Sequence, residues 1–224
     1  MIHLVTELPD IYDKNSAELL KIKCLFEAYS DIALFWSQQG ADTLISMLDS
    51  NMTIYAKNPD FDELKSFIDV IAPKSIFTDF KTAENLGLKI NETASVLSRN
   101  CDIPFENSPD ELKSDEIYNI LNVEGLTLPP FDSFAVDFCH RKNIGKLKIF
   151  AKAKTFAAVS IDCEDVCLIN GIASHKKGQG SVALNGILSK NFGKTALVCA
   201  KEEVKNFYIK NGFRETYKAA YCVR

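Results

Sequence analysis

The chain has 224 residues, 46% hydrophobic and 25% charged, with a net charge of −4. That is ordinary globular composition, enough for one large domain or two small ones. Residues 1–100 hold 9 Lys+Arg against 15 Asp+Glu and residues 101–224 hold 17 against 15, which speaks against nucleic acid as a partner, since phosphate neutralisation needs a concentrated basic face.

MIHLVTELPD has no basic leader, and no run approaches the ~20 apolar residues that cross a bilayer, so a soluble, cytoplasmic protein with no membrane partner is expected. Seven scattered cysteines, mostly in apolar segments such as TALVCA, fit a reducing compartment. The closest pair, Cys163 and Cys167, has no second pair or histidine at ligand spacing, so no metal site is expected.

In chain order, IHLVTEL, ALFWSQ, TLISMLDSNMTIYA, SIFTDF and ETASVLS carry strand patterns. SAELLKIKCLFEAY and DFDELKSFIDVIA carry helical ones, the second flanked by Asp60 and Asp62 as caps and ended by Pro73. The polar stretch RNCDIPFENSPDELKSDE places a domain junction near residues 100–110, giving domains 1–100 and 101–224. Helical patterns follow at EIYNILNV and FDSFAVDFCHRKNIG, either side of Pro129-Pro130.

KLKIFAKA, TFAAVSID and EDVCLINGIAS read as consecutive strands, and the continuous apolar character of the third predicts burial on both faces. Leu184, Ile187, Leu188 and Phe192 then make one helical face, TALVCA another buried strand, and EEVKNFYIKNG a helix with Val204, Phe207 and Tyr208 on one side, stopped by Gly212. FRETYKAAYCV closes as a strand. The class is α/β.

Between the third strand and its helix stands HKKGQGS, His175 to Ser181. The first N–H groups of a helix have no intrahelical partner and carry the positive end of its dipole. Gly178 and Gly180 let the backbone approach a ligand, Ser181 could cap the helix or donate its hydroxyl, and Lys176 and Lys177 add charge. The turn suits phosphate or pyrophosphate; the plain alternative is a tight turn with no ligand. It fits neither a P-loop, for want of a Lys-Ser/Thr pair after the glycines, nor a dinucleotide fingerprint, for want of a third glycine.

With the next helix included, the pattern resembles the GNAT superfamily of acyl-CoA-dependent N-acetyltransferases. That family's phosphate loop runs Gln/Arg-x-x-Gly-x-Gly/Ala after a central strand, and HKKGQG supplies Gly178 and Gly180. Its later helix commonly carries Phe-Tyr, a gap and Gly-Phe, and NFYIKNGFRE supplies Phe207, Tyr208, Gly212 and Phe213. The resemblance covers residues 144–224. Residues 1–100 look like a worn-down copy of the same fold, so two tandem units built on a mixed twisted sheet are expected.

The resemblance implies acetyl transfer from acetyl-CoA to a primary amine of a small molecule or peptide. Ile172, Ala173 and Ser174 would align the pantetheine arm and polarise the thioester. The N–H groups of Lys177, Gly178, Gln179, Gly180 and Ser181 would hold the pyrophosphate. Phe207 and Lys201 would line the cofactor, and Tyr208 would be the general acid. His175 and Lys201 depart from the family's preferences, Gln or Arg and Asn, which keeps a non-catalytic acyl-CoA-binding or sensing module as the alternative. The general base stays open among Asp137, His140, Glu164 and a water chain.

Overall fold

The computed structural model describes residues 1–104 and 108–223. Residues 105–107, inside the expected junction, lie outside the described residues. The element order is β1 (Ile2–Leu4), α1 (Ala17–Tyr29), β2 (Leu34–Gln38), β3 (Asp42–Leu48), β4 (Asn51–Lys57), α2 (Phe61–Ile71), β5 (Ser75–Asp79), α3 (Phe80–Asn85) and β6 (Lys89–Asn100). Then follow α4 (Ser114–Leu121), α5 (Phe131–Asn143), β7 (Leu147–Lys152), β8 (Phe156–Cys163), β9 (Val166–Ser174), α6 (Gln179–Lys190), β10 (Thr195–Ala200), α7 (Glu202–Lys210) and β11 (Arg214–Val223). One rhythm occurs twice: an antiparallel meander (β2-β3-β4, β7-β8-β9), a helix, a strand parallel to the meander's last (β5, β10), a helix, and a long strand.

By packing, the chain divides into Met1–Ser98 with the segment from Cys199 onward, and Arg99–Val198. The closing segment, assigned from sequence to the second domain, packs in the first unit, because β11 inserts between β5 and β6 and hydrogen-bonds antiparallel to both. Main-chain pairing over ten residues outweighs proximity along the chain.

In the first unit the order is β1-β2-β3-β4-β5-β11-β6. Successive residues of β3 face opposite sides, and Leu44 and Ile45 are both fully buried. Leu44 joins Leu19, Ile22, Phe35 and Tyr55 on the α1 side, and Ile45 joins Trp36, Met52, Leu64 and Ile68 on the α2 side. Each such side chain contributes about 1.5–3 kcal/mol of burial, so both helices are held by packing. The run TLISMLDSNMTIYA folds as a hairpin at Asp49 and Ser50, both at positive φ, as a two-residue turn requires. IHLVTEL is strand only over Ile2–Leu4, where β2 offers partners.

In the second unit the order is β10-β9-β8-β7. Ile117, Ile120, Leu121 and Phe138 of α4 and α5 cover one face through Ala151, Ala157, Val159 and Ala173. On α6, Leu184 and Ile187 are buried as expected, whereas Phe192 lies past the helix end and is 61% exposed. Gly186 brings α6 onto Phe150: a Cβ there would stand 2.2 Å from Phe150 Cδ1. Among the described residues no helix is long and apolar enough to cross a membrane.

Candidate cofactor site and catalytic residues

At the end of β9 the His175 N–H donates to the Thr155 carbonyl at 2.8 Å, which fixes where the strand stops. Lys176 and Lys177 follow, exposed, and Gly178 at φ +87° is the N-cap of α6. Left-handed backbone at that point is why glycine stands there. A glycine cap brings no side chain to the first N–H groups, and no acid lies in the first turn; the Gln179 N–H donates to the Lys176 carbonyl at 3.2 Å, which leaves the donors that follow it and the dipole for an anion. Ser181 is inside the first turn and does not cap the helix. Gln179 Oε1 beside the turn is buried without a hydrogen-bond partner.

The corresponding helix of the first half, α2, shows the opposite arrangement. Asp60 caps it, its carboxylate accepting from the N–H groups of Asp62 and Glu63, which are themselves acidic. Those donors are occupied and the charge repels phosphate. The two helix N-termini therefore differ in what they can hold, although the elements recur in the same order.

β9 supplies the second feature. Its parallel ladder to β10 covers only Val166–Leu168, opposite Thr195–Leu197, whereas its antiparallel ladder to β8 runs on to Ser174 opposite Phe156. Within this unit, Ile172, Ala173 and Ser174 are thus paired on one edge alone, and the other edge can bind an extended amide chain as a further strand would. A register shift between Val159 and Ser160 marks a bulge on β9 at Asn170, which is exposed. Sequence reasoning missed it, because a bulge has no residue signature of its own.

Tyr208 belongs to α7 in the first unit. It is 8% exposed and held edge-on between Phe207 at 5.1 Å and Phe213 at 5.5 Å. Its hydroxyl forms no hydrogen bond among the described residues. Desolvation, with a smaller effect from Cys199, pushes its pKa up to about 12. Phe207 is half-buried, but Val204, expected on the same packed side, is 48% exposed, because a helix on the surface of the fold buries a narrow stripe. Lys201 at the N-cap of α7 is ion-paired with Glu92 at 2.9 Å.

Of the three candidate bases, Asp137 is engaged by Arg141 at 2.8 Å. Glu164, at φ +45°, sits in the β8-β9 turn, a strand length of about 30 Å from the glycine turn. His140 lies on α5, half-buried. One buried acid escaped the sequence reading: Glu18 in the first turn of α1, 2% exposed. Its only signal was a charge within the apolar segment SAELLKI, which a cap-and-dipole reading of a helix start also explains.

Three solved structures place this arrangement. A GCN5-related N-acetyltransferase from Kribbella flavida superposes with a TM-score of 0.62 at 10% identity, covering 94% of this chain and 96% of that one. A tandem GNAT protein from the clavulanic acid biosynthesis pathway matches with a TM-score of 0.53 at 6% identity, over 99% and 97%. The chain has the GNAT fold. A GCN5-related N-acetyltransferase from Sphaerobacter thermophilus gives 0.53 at 9% identity, over 84% and 79%. No family model and no curated protein matches the chain. In GNAT terms, the glycine turn follows the last meander strand of the second half, and the first half repeats the elements with its corresponding helix capped by aspartate.

Proposed function

We propose that this chain is an N-acetyltransferase that moves the acetyl group of acetyl-CoA to a primary amine. The uncapped N-terminus of α6, behind the left-handed Gly178 and beside the half-paired edge of β9, carries the reading. These features fit the cofactor: a dipole and N–H groups for a pyrophosphate along Lys177, Gly178, Gln179, Gly180 and Ser181, of which that of Gln179 is shared with the Lys176 carbonyl, an orphaned amide oxygen on Gln179, and strand-edge groups at Ile172, Ala173 and Ser174 for an amide-bearing arm. Acetyl-CoA held there would supply the acetyl group as an activated thioester, so that one C–N bond forms as one C–S bond breaks.

Tyr208 is assigned by its motif as the group that holds a proton for the departing sulfur. At about 12 its hydroxyl keeps that proton throughout the physiological range. Transfer to an ordinary thiolate, with a pKa near 8.5, would run uphill. Cys199 gauges the surroundings in the same unit: burial pushes its thiol up to about 11. A sulfur brought out of water is shifted in the same direction, which narrows the uphill gap to the Tyr208 oxygen.

The test is acetyl-CoA-dependent thiol release over a panel of polyamines, amino acids, aminoglycosides and peptides, beside a calorimetric titration with CoA. One CoA per chain and turnover with an amine are expected, because α2 is blocked by Asp60. Binding without turnover on any amine would favour the non-catalytic module, and no CoA binding would overturn both readings.

A further inference from the structure

Glu18 is a carboxylate placed with care. Its Oε2 accepts from the Tyr217 hydroxyl and from Ser16 Oγ at 2.9 Å. Tyr217 in turn accepts from the Ala17 N–H at 2.8 Å, and Ser16 Oγ from the Leu19 N–H at 3.1 Å. The side chain is therefore locked between the start of α1 and β11. Its other oxygen, Oε1, is buried with no hydrogen-bond partner. Unmatched buried acceptors are uncommon and costly, more so for a group that can be charged, so although the backbone N–H of Glu18 itself also acts on this carboxylate, Oε1 keeps an unused acceptor position.

The surroundings state the donor's chemistry. One turn along α1, Lys21 Nζ lies 3.5 Å from the centroid of the Phe77 ring and 5.3 Å from that of Tyr221, the two rings being 4.7 Å apart. Lys21 makes no ion pair among the described residues. This corner already stabilises a primary ammonium on aromatic faces. Tyr217, whose hydroxyl reaches the carboxylate, is half-buried, and Tyr221 is exposed.

We propose that Glu18 Oε1 binds the ammonium of a primary alkylamine and takes its proton, giving the first unit an amine site. In that step one N–H bond breaks, its electron pair stays on nitrogen, and the proton ends on Oε1, leaving a neutral amine and a carboxylic acid; Tyr217 is the positioning residue. That this amine is the acetyl acceptor rests on the acetyltransferase reading, whereas the binding does not.

Desolvation raises the Glu18 pKa above its ordinary value, against the lowering effect of hydrogen bonds from Tyr217, from the backbone N–H of Glu18 itself and from Ser16, with Asp79 adding to the rise. The other titratable groups around it are Lys21 on its own helix, Tyr55 on β4, Cys199 on β10 and Tyr221 on β11. The carboxylate is thus lost, and amine binding with it, as pH falls through the raised value.

The experiment titrates n-butylammonium chloride into the full chain at pH 8, read by saturation-transfer NMR, with n-butanol as the uncharged control. Glu18→Gln, checked by circular dichroism for an intact fold, is expected to weaken binding ~10-fold or more, the scale of a lost charged hydrogen bond. Tyr217→Phe removes the donor to Oε2 and is expected to move the pH midpoint of binding upward, which a loss of packing alone would not do. Butylammonium binding to the unaltered chain that is the same from pH 4 to pH 8, or equal in Glu18→Gln, overturns the proposal, as does no binding at all, which leaves Oε1 to water. CoA titrated separately tells the two readings apart: CoA binding with an indifferent Glu18 sinks the amine site alone, and amine binding without CoA sinks the acetyltransferase alone.

Discussion

Gly186→Ala tests the packing that positions the glycine turn. The added Cβ would lie 2.2 Å from Phe150 Cδ1, whereas ordinary contact lies at 3.4–4 Å, so ring or helix must yield by more than an ångström. Phe150 is 1% exposed and stacks on Phe156 at 6.1 Å, which leaves the ring little room. Overpacking of this kind costs about 1–3 kcal/mol, here toward the upper end, and alanine's better helix propensity offsets about 1 kcal/mol. The net is ~1–2 kcal/mol of destabilisation, a factor of ~5–30 in the opening equilibrium. The single tryptophan, Trp36, is in the first unit, so its fluorescence does not report on α6. Amide hydrogen exchange over α6, β7 and β8 does. Exchange should quicken by that factor in Gly186→Ala and recover in part when Phe150→Leu is added. Unchanged or slower exchange in Gly186→Ala would show that α6 does not depend on this approach.

Gly180→Val puts a branched side chain among the N–H groups at the start of α6 and should abolish CoA binding by calorimetry while leaving the fold intact; undiminished affinity would move the pyrophosphate elsewhere. Tyr208→Phe keeps a well-packed ring and removes the proton, so kcat should fall ~10²- to 10⁴-fold with CoA affinity unaltered, measured where chemistry limits the rate. Asp162 loses favourable hydration by burial, but hydrogen bonds from Lys194 and Lys148 outweigh that and hold its pKa below the ordinary 3.8. Its contribution to the second unit is therefore complete above that value and is lost as pH falls through the lower, folded one. Asp162→Asn should make the unit less resistant to urea at pH 6, with the difference from the unaltered chain closing toward pH 2; a gap that persists at pH 2 would mean that the charge is not the cause.

The class of the fold and the cofactor turn were legible in the residues because both are local. Period-two and helical patterns mark elements, and glycine at the start of α6 reports a backbone that other residues adopt only under strain. Asp60 before α2 is legible as a cap for the same reason. What needed the tertiary structure was pairing between segments far apart in the chain. Nothing in FRETYKAAYCV says that it lies between β5 and β6, since a strand's sequence records that it is buried and paired, not with whom. That insertion brings Tyr217 to Glu18 across almost the whole chain. It turns an acid that reads as a helix-start residue into a locked, half-satisfied carboxylate, because burial and hydrogen-bond geometry are set by neighbours in space.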